Sequence, residues 1–265
     1  MSQLADILQR IVDQRQRRVD DWLRTVGQGA GEDRGNRESG ADFLAAIRNA
    51  APRAVIAEVK MGSPRLGSLQ GRVDPEKQAR RYAASGAAAI SVVVEPDFFY
   101  GDYELLARCR QAAGLPVLAK DFVVHPIQLQ WAREAGASAV LLIAALVSSA
   151  ELLDLASTAR RLGLTPLVEC HSRADIQRLG EGAWELVGIN NRDLRTFEVD
   201  LEHSISLLPS LPAAAIKVAE SGIATAEDVT RLAAAGFDAF LIGETLLKAE
   251  DPAGKLGELI GEEKR

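Results

Sequence analysis

Ala54-Val55-Ile56-Ala57-Glu58-Val59-Lys60 is an apolar run that becomes ionisable as it ends. Side chains alternate faces along a strand, so Glu58 and Lys60, spaced i and i+2, project to the same side. A charge at the end of a buried strand costs free energy unless a partner or a ligand meets it. Seven more short apolar runs follow, over residues 88–94, 116–120, 139–144, 165–169, 186–190, 216–220 and 239–243. Polar groups close most of them: Glu95, Lys120, Glu169, Asn190 and Glu220 after Lys60, with Gly243 last. The fourth run alone stays apolar.

Near-continuous apolar runs are what parallel strands buried on both faces require. Helical periodicity fills the gaps, over 75–85, 103–113, 127–135, 149–162 and 226–235. Gly86, Gly114, Gly136, Gly163 and Gly236 follow helix ends, where a left-handed C′ residue belongs. Thr225-Ala226-Glu227-Asp228 reads as a capping box. Eight strand–helix repeats favour an α/β fold of one kind, a single (β/α)8 TIM barrel, over a doubly wound open sheet. The chain is expected to be one domain over 1–265, with a helical extension over 1–50 and the barrel over 54–260. The extension carries an amphipathic helix over 3–25 and another over 41–49, joined by a Gly-rich loop. In a barrel all eight strand ends meet on one rim, where catalysis takes place. Two lysines, several carboxylates and an amide on that rim describe a site for an anionic substrate.

At 265 residues the chain has the length one such barrel needs, about 250 residues. Its net charge of −6 excludes the basic stripe of a nucleic-acid binder. No apolar stretch approaches the roughly 20 residues of a membrane span, and no signal segment opens the chain. A cytoplasmic protein is expected, as a monomer or weak homo-oligomer. Cys109 and Cys170 are read as inert, and no metal-ligand spacing occurs. His125, His171 and His203 are expected on the surface or capping helices.

Glu220-Ser221-Gly222-Ile223 and Ile242-Gly243-Glu244-Thr245 follow the seventh and eighth strands. Barrels frequently bind phosphate between these loops, where glycine lets backbone approach an anion. Ser63, in the first loop, adds a hydroxyl. Lys120 from the third strand should enter the same space as Glu58 and Lys60, and each lysine is expected to lower the other's pKa. Glu169 and Asn190 add acid–base and orienting groups. Arg192 suits a rim salt bridge as well as substrate contact. Phe99 and Phe122 can wall an aromatic ligand.

In this order the motifs resemble those of the indole-3-glycerol phosphate synthase family. The matching stretches are 56–60 with Ser63-Pro64, Lys120-Asp121-Phe122, 188–194, 220–223 and 241–244. The resemblance implies conversion of 1-(2-carboxyphenylamino)-1-deoxyribulose 5-phosphate to indole-3-glycerol phosphate, carbon dioxide and water, without cofactor or metal. It makes Lys120 the general acid at the sugar carbonyl and Lys60 the holder of the carboxylate. Glu58 becomes the base that restores aromaticity, and Glu169 assists at the departing hydroxyl. Asn190 and Glu220 hold the sugar or the ring-nitrogen side. Ser63, Ser221, Gly222, Gly243 and the backbone of Glu244 surround the phosphate. Phe99, Phe122, Leu141, Leu194 and Leu241 line the aromatic pocket. A phosphoribosylanthranilate isomerase would instead want a cysteine and an aspartate at strand ends, and a barrel that only binds phosphosugar would have lost Lys60, Lys120 or Glu169. Departures from the family fall at Met61, where a basic residue is usual, and at Arg65, Asp102 and Thr245. The two early loops are where rate or specificity could differ.

Overall fold

A computed structural model describes residues 3–26, 39–193 and 198–261. Eight parallel strands close into a barrel in chain order: β1 (Ala54–Val59), β2 (Ala89–Val93), β3 (Val117–Lys120), β4 (Ala139–Ile143), β5 (Thr165–Cys170), β6 (Leu186–Asn190), β7 (Ile216–Glu220) and β8 (Ala239–Ile242). Closure comes from β8 pairing with β1, Ala54 opposite Ala239. The open-sheet alternative is thereby excluded.

Alternation along each strand splits the buried residues into two sets. Val55, Ala57 and Val59 of β1 pack outward against helices, while Ile56 joins Leu118, Leu141, Leu167, Leu186, Val218 and Leu241 inside the barrel. Small residues start several strands: Ala54, Ala89, Ala139 and Ala239. Helix α2 (Ser39–Ala50) uses the space they leave, burying Phe43 and Ile47 in the interior cluster and plugging the bottom. Helix α1 (Gln3–Val26) precedes it. The inward file is thus apolar from the floor upward and becomes polar only at the mouth.

The capping box at Thr225 and Asp228 is present, and a second joins Ser148 and Glu151. The five glycines expected after helices all have positive φ. Some elements were not legible. Ser39 and Gly40 belong to α2 rather than to the Gly-rich loop, whose remaining residues lie outside the described ones, as do residues 262–265 of the tail. Gly62–Ser63 and Gly67–Ser68 form a tight hairpin above β1. Helices Arg173–Arg178, Leu201–Leu207 and Glu244–Lys248 have 6, 7 and 5 residues, too short to display a 3.6-residue period.

Candidate active site

Continuing the inward file upward gives the site. Glu58 stands two residues above Ile56, Lys120 above Leu118, Glu169 above Leu167, Glu220 above Val218 and Asn190 above Gly188. The Glu58 carboxylate takes Lys60 Nζ on Oε1 at 2.9 Å and Lys120 Nζ on Oε2 at 3.0 Å. Glu58, Glu169 and Glu220 are all buried. The three carboxylates and two ammonium groups expected to meet do meet.

Their protonation follows from the count. Burial works against the Lys120 ammonium, but Glu58, Glu220 and Glu169 outweigh it and hold the group above the ordinary lysine range. The expected mutual lowering by the two lysines does not decide the outcome, because the Glu58 carboxylate, bonded directly to Lys120, outweighs it. Burial likewise opposes the Glu58 carboxylate, yet Lys120 and Lys60 bring it down from 4.5 to about 2. Glu220 behaves oppositely. Burial and then Glu169 push it well above 4.5, against the pull of Lys120. Among the described residues no donor group reaches either Glu220 oxygen. A bond between Glu220 and Glu169 therefore exists only when one of them carries the proton.

These shifts predict opposite pH dependences. The contribution of Glu58 is fully present above its unfolded value near 4.5 and is lost as pH falls through about 2. That of Glu220 is present below 4.5 and is lost as pH rises through its raised folded value. Glu220→Gln keeps the neutral shape without the titration. Urea midpoints taken from about pH 5 to about pH 8 should fall more for the parent chain than for Glu220→Gln. Parallel curves would mean that Glu220 is ionised throughout.

Around this cluster the loops supply the remaining residues. Phe99 and Phe122 face each other with ring centroids 5.9 Å apart. Leu141 and Leu241 lie just below in the interior cluster, against which Phe122 packs. Leu194 lies outside the described residues. Ser221 has φ of 65°, a conformation that costs a non-glycine residue about 1 kcal/mol or more and that concentrates at functional sites. At Gly222 a Cβ would run into Val199. At Gly243 a Cβ would run into the Glu58 carboxylate, so its missing side chain makes room for Glu58. The Ser63 hydroxyl accepts the Leu66 N–H at 3.1 Å, which shapes the hairpin. Asn190 Oδ1 accepts the Arg192 N–H at 3.0 Å. Arg192 pairs with Glu244 at 2.7 Å and so ties the loop after β6 to the loop after β8.

The histidines, the cysteines and Asn191 complete the surroundings. His171 is not on the surface: its side chain is only 10% exposed, and its Nε2 lies 3.2 Å from Glu169 Oε1. Among the described residues neither ring nitrogen has a hydrogen-bond partner. His125 does cap a helix, accepting the Ile127 N–H on Nδ1 at 3.1 Å. Asn191 donates from Nδ2 to the carbonyls of Glu220 and Ser221, both at 3.1 Å, and fastens the turn after β7. Both cysteines are free and buried in the outer core, where burial pushes the Cys109 thiol up to about 12 and the Cys170 thiol up as well. Neither is placed for the acid–base work of an isomerase. Among the described residues no group of three His, Cys, Asp or Glu could hold a metal ion, and no helix is long and apolar enough to cross a membrane.

A family model for indole-3-glycerol phosphate synthase matches residues 8–259. The chain belongs to the indole-3-glycerol phosphate synthase family. The synthase of Albidiferax ferrireducens is 44% identical over 83% of this chain and 84% of its own length. That of Polaromonas naphthalenivorans is 38% identical over 98% of this chain and 100% of its own. Among solved structures, 3-hexulose-6-phosphate synthase from Salmonella typhimurium superposes with a TM-score of 0.62 at 15% identity, over 79% of this chain and 97% of that one. This last likeness is one of fold.

Membership gives the departures a meaning. Asp102, a carboxylate where the family usually has serine, is the N-cap of helix Tyr103–Ala113 and accepts the Leu105 N–H at 2.5 Å. Serine and aspartate are comparable N-caps, so the exchange keeps the loop's anchor. Thr245 donates its hydroxyl to the Ile223 carbonyl at 2.6 Å, linking the two late loops. Met61 is buried in the outer core, and Arg65 is exposed on the early hairpin. Residue 61 therefore offers no basic side chain to the mouth.

Proposed function

We infer that this chain closes an indole ring, converting 1-(2-carboxyphenylamino)-1-deoxyribulose 5-phosphate to indole-3-glycerol phosphate with loss of carbon dioxide and water. The observation that carries this reading is Lys120, charged and 3.0 Å from Glu58 among Glu169 and Glu220 at the barrel mouth. The reaction needs a proton at the sugar carbonyl oxygen as the aromatic carbon attacks it, and Lys120 arrives with one. Lys60, the other cation on Glu58, meets the substrate carboxylate before it departs as carbon dioxide. Glu58, ionised down to about pH 2, accepts the proton released as the ring regains aromaticity. Elimination of the hydroxyl as water takes a proton from Glu169, which the protonated Glu220 can resupply.

The phosphate falls to the backbone of Ser221, Gly222, Gly243 and Glu244, with Ser63 above. The aromatic ring lies against Phe99 and Phe122, over Leu141 and Leu241. Asn190 orients the sugar, and Arg192 holds Glu244 in place. A tryptophan-pathway enzyme working on a small charged molecule belongs in the cytoplasm. Incubating the purified chain with that substrate should give a steady rise of indole fluorescence and an equal release of carbon dioxide. Substrate that binds and is returned unchanged would reject the assignment.

A further inference from the structure

We propose that Arg15, from the N-terminal helix α1, is a positioning residue for Lys120 and acts through Asp121. The inference rests on the role given to Lys120 above. Asp121 follows Lys120 at the end of β3, and strand alternation points the two side chains in opposite directions. Lys120 enters the mouth, and Asp121 turns outward and is only 2% exposed. There it receives an unusually complete set of donors. Arg15 meets it with two nitrogens, Nε at 2.9 Å from Oδ1 and Nη2 on Oδ2. The Tyr103 hydroxyl donates to Oδ2 at 2.8 Å, Gln128 Nε2 to Oδ2 at 3.0 Å, and the Phe122 N–H to Oδ1 at 2.9 Å. Asp121 is thus held from three helices, and it stands between two residues that face the substrate, Lys120 and Phe122.

Helix α1 holds the second half of the aromatic wall as well. Arg18 pairs with Asp97 at 2.5 and 2.7 Å, and Arg10 lies 5.8 Å from the Phe98 ring centroid. The same turn is cinched by Glu95, whose carboxylate accepts the N–H groups of Asp97, Phe98 and Phe99. Trp22 against Trp131, at 5.5 Å, seats the helix. The two contacts differ in depth. Arg15 is buried and bidentate, which makes its geometry directional. Arg18 is 47% exposed, where an ion pair contributes little.

A general acid displaced by about 1 Å can lose on the order of 100-fold in rate. In the full-length chain, Arg15→Met should lower kcat by about tenfold or more and leave KM within about twofold. Arg15→Lys, which keeps the charge and loses the fork, should recover part of kcat. Arg18→Ala should change kcat by less than about twofold. If Arg15→Met folds poorly, Tyr103→Phe removes one donor from Asp121 without leaving a buried charge unpaired, and kcat should still fall with KM held. Variants of Arg15 and Tyr103 that melt earlier but keep kcat would overturn the proposal and show a role in stability alone. A parent chain without turnover would overturn the functional assignment and this inference with it.

Discussion

Replacing Lys120 by methionine is expected to lower kcat by about 10²- to 10⁴-fold, the usual contribution of a general acid or base. Methionine preserves the length and most of the volume of the side chain, so the mouth keeps its packing. What disappears is the proton and the charge that Glu58, Glu220 and Glu169 maintain there. Affinity should survive, because the backbone proposed to hold the phosphate, at Ser221, Gly222 and Gly243, belongs to other strands. Glu58 would keep Lys60 as its remaining cation and move up from about 2, so acid removes less stability from the variant than from the parent. Steady-state rates together with binding of the product, indole-3-glycerol phosphate, separate the alternatives. A raised dissociation constant with kcat intact would make Lys120 a substrate anchor and not a proton donor.

Lys120 also marks where the sequence was readable and where it was not. The eight strands stood out because burial on both faces makes each one apolar, and a closed barrel repeats that pattern eight times. The pairing of Glu58 with Lys60 followed from i, i+2 spacing alone. The same spacing relates Glu169 to His171, so a signal for the histidine beside Glu169 was present in the sequence. The protonation of Lys120 needed a census of neighbours, since weighing one lysine against the other omits the carboxylates contributed by β5 and β7. Arg15 and Asp121 had no local signal, being 106 residues apart. Asp102 looked like an intruding charge because its sequence position says nothing about the N–H it accepts. The short helices hide for a plainer reason: two turns do not make a period.

Gly188→Ala is expected to be destabilising by about 1–3 kcal/mol and to lower kcat by on the order of 100-fold. Taken alone, the substitution should help, because glycine inside a strand costs roughly 0.5–1 kcal/mol relative to alanine. The sign reverses because of what stands over the backbone. On β6, Gly188 pairs with Glu169 on one side and Val218 on the other. Its missing side chain is the space that Glu220 Oε1 occupies, and an added Cβ would overlap that oxygen, with Leu167 bounding the other side at 3.5 Å. Glu220 is fully buried, so its carboxyl has no solvent to swing into and must move against Glu169 or displace the strand. Either movement displaces Glu220 from its place beside Glu169. Coupling between the sites gives the decisive test. In a Glu220→Ala background the obstacle is gone, and Gly188→Ala should become neutral or stabilising. Melting midpoints of the four proteins measure that change of sign. An equal cost of Gly188→Ala in both backgrounds would place the strain in the β6 backbone and remove Glu220 from the explanation.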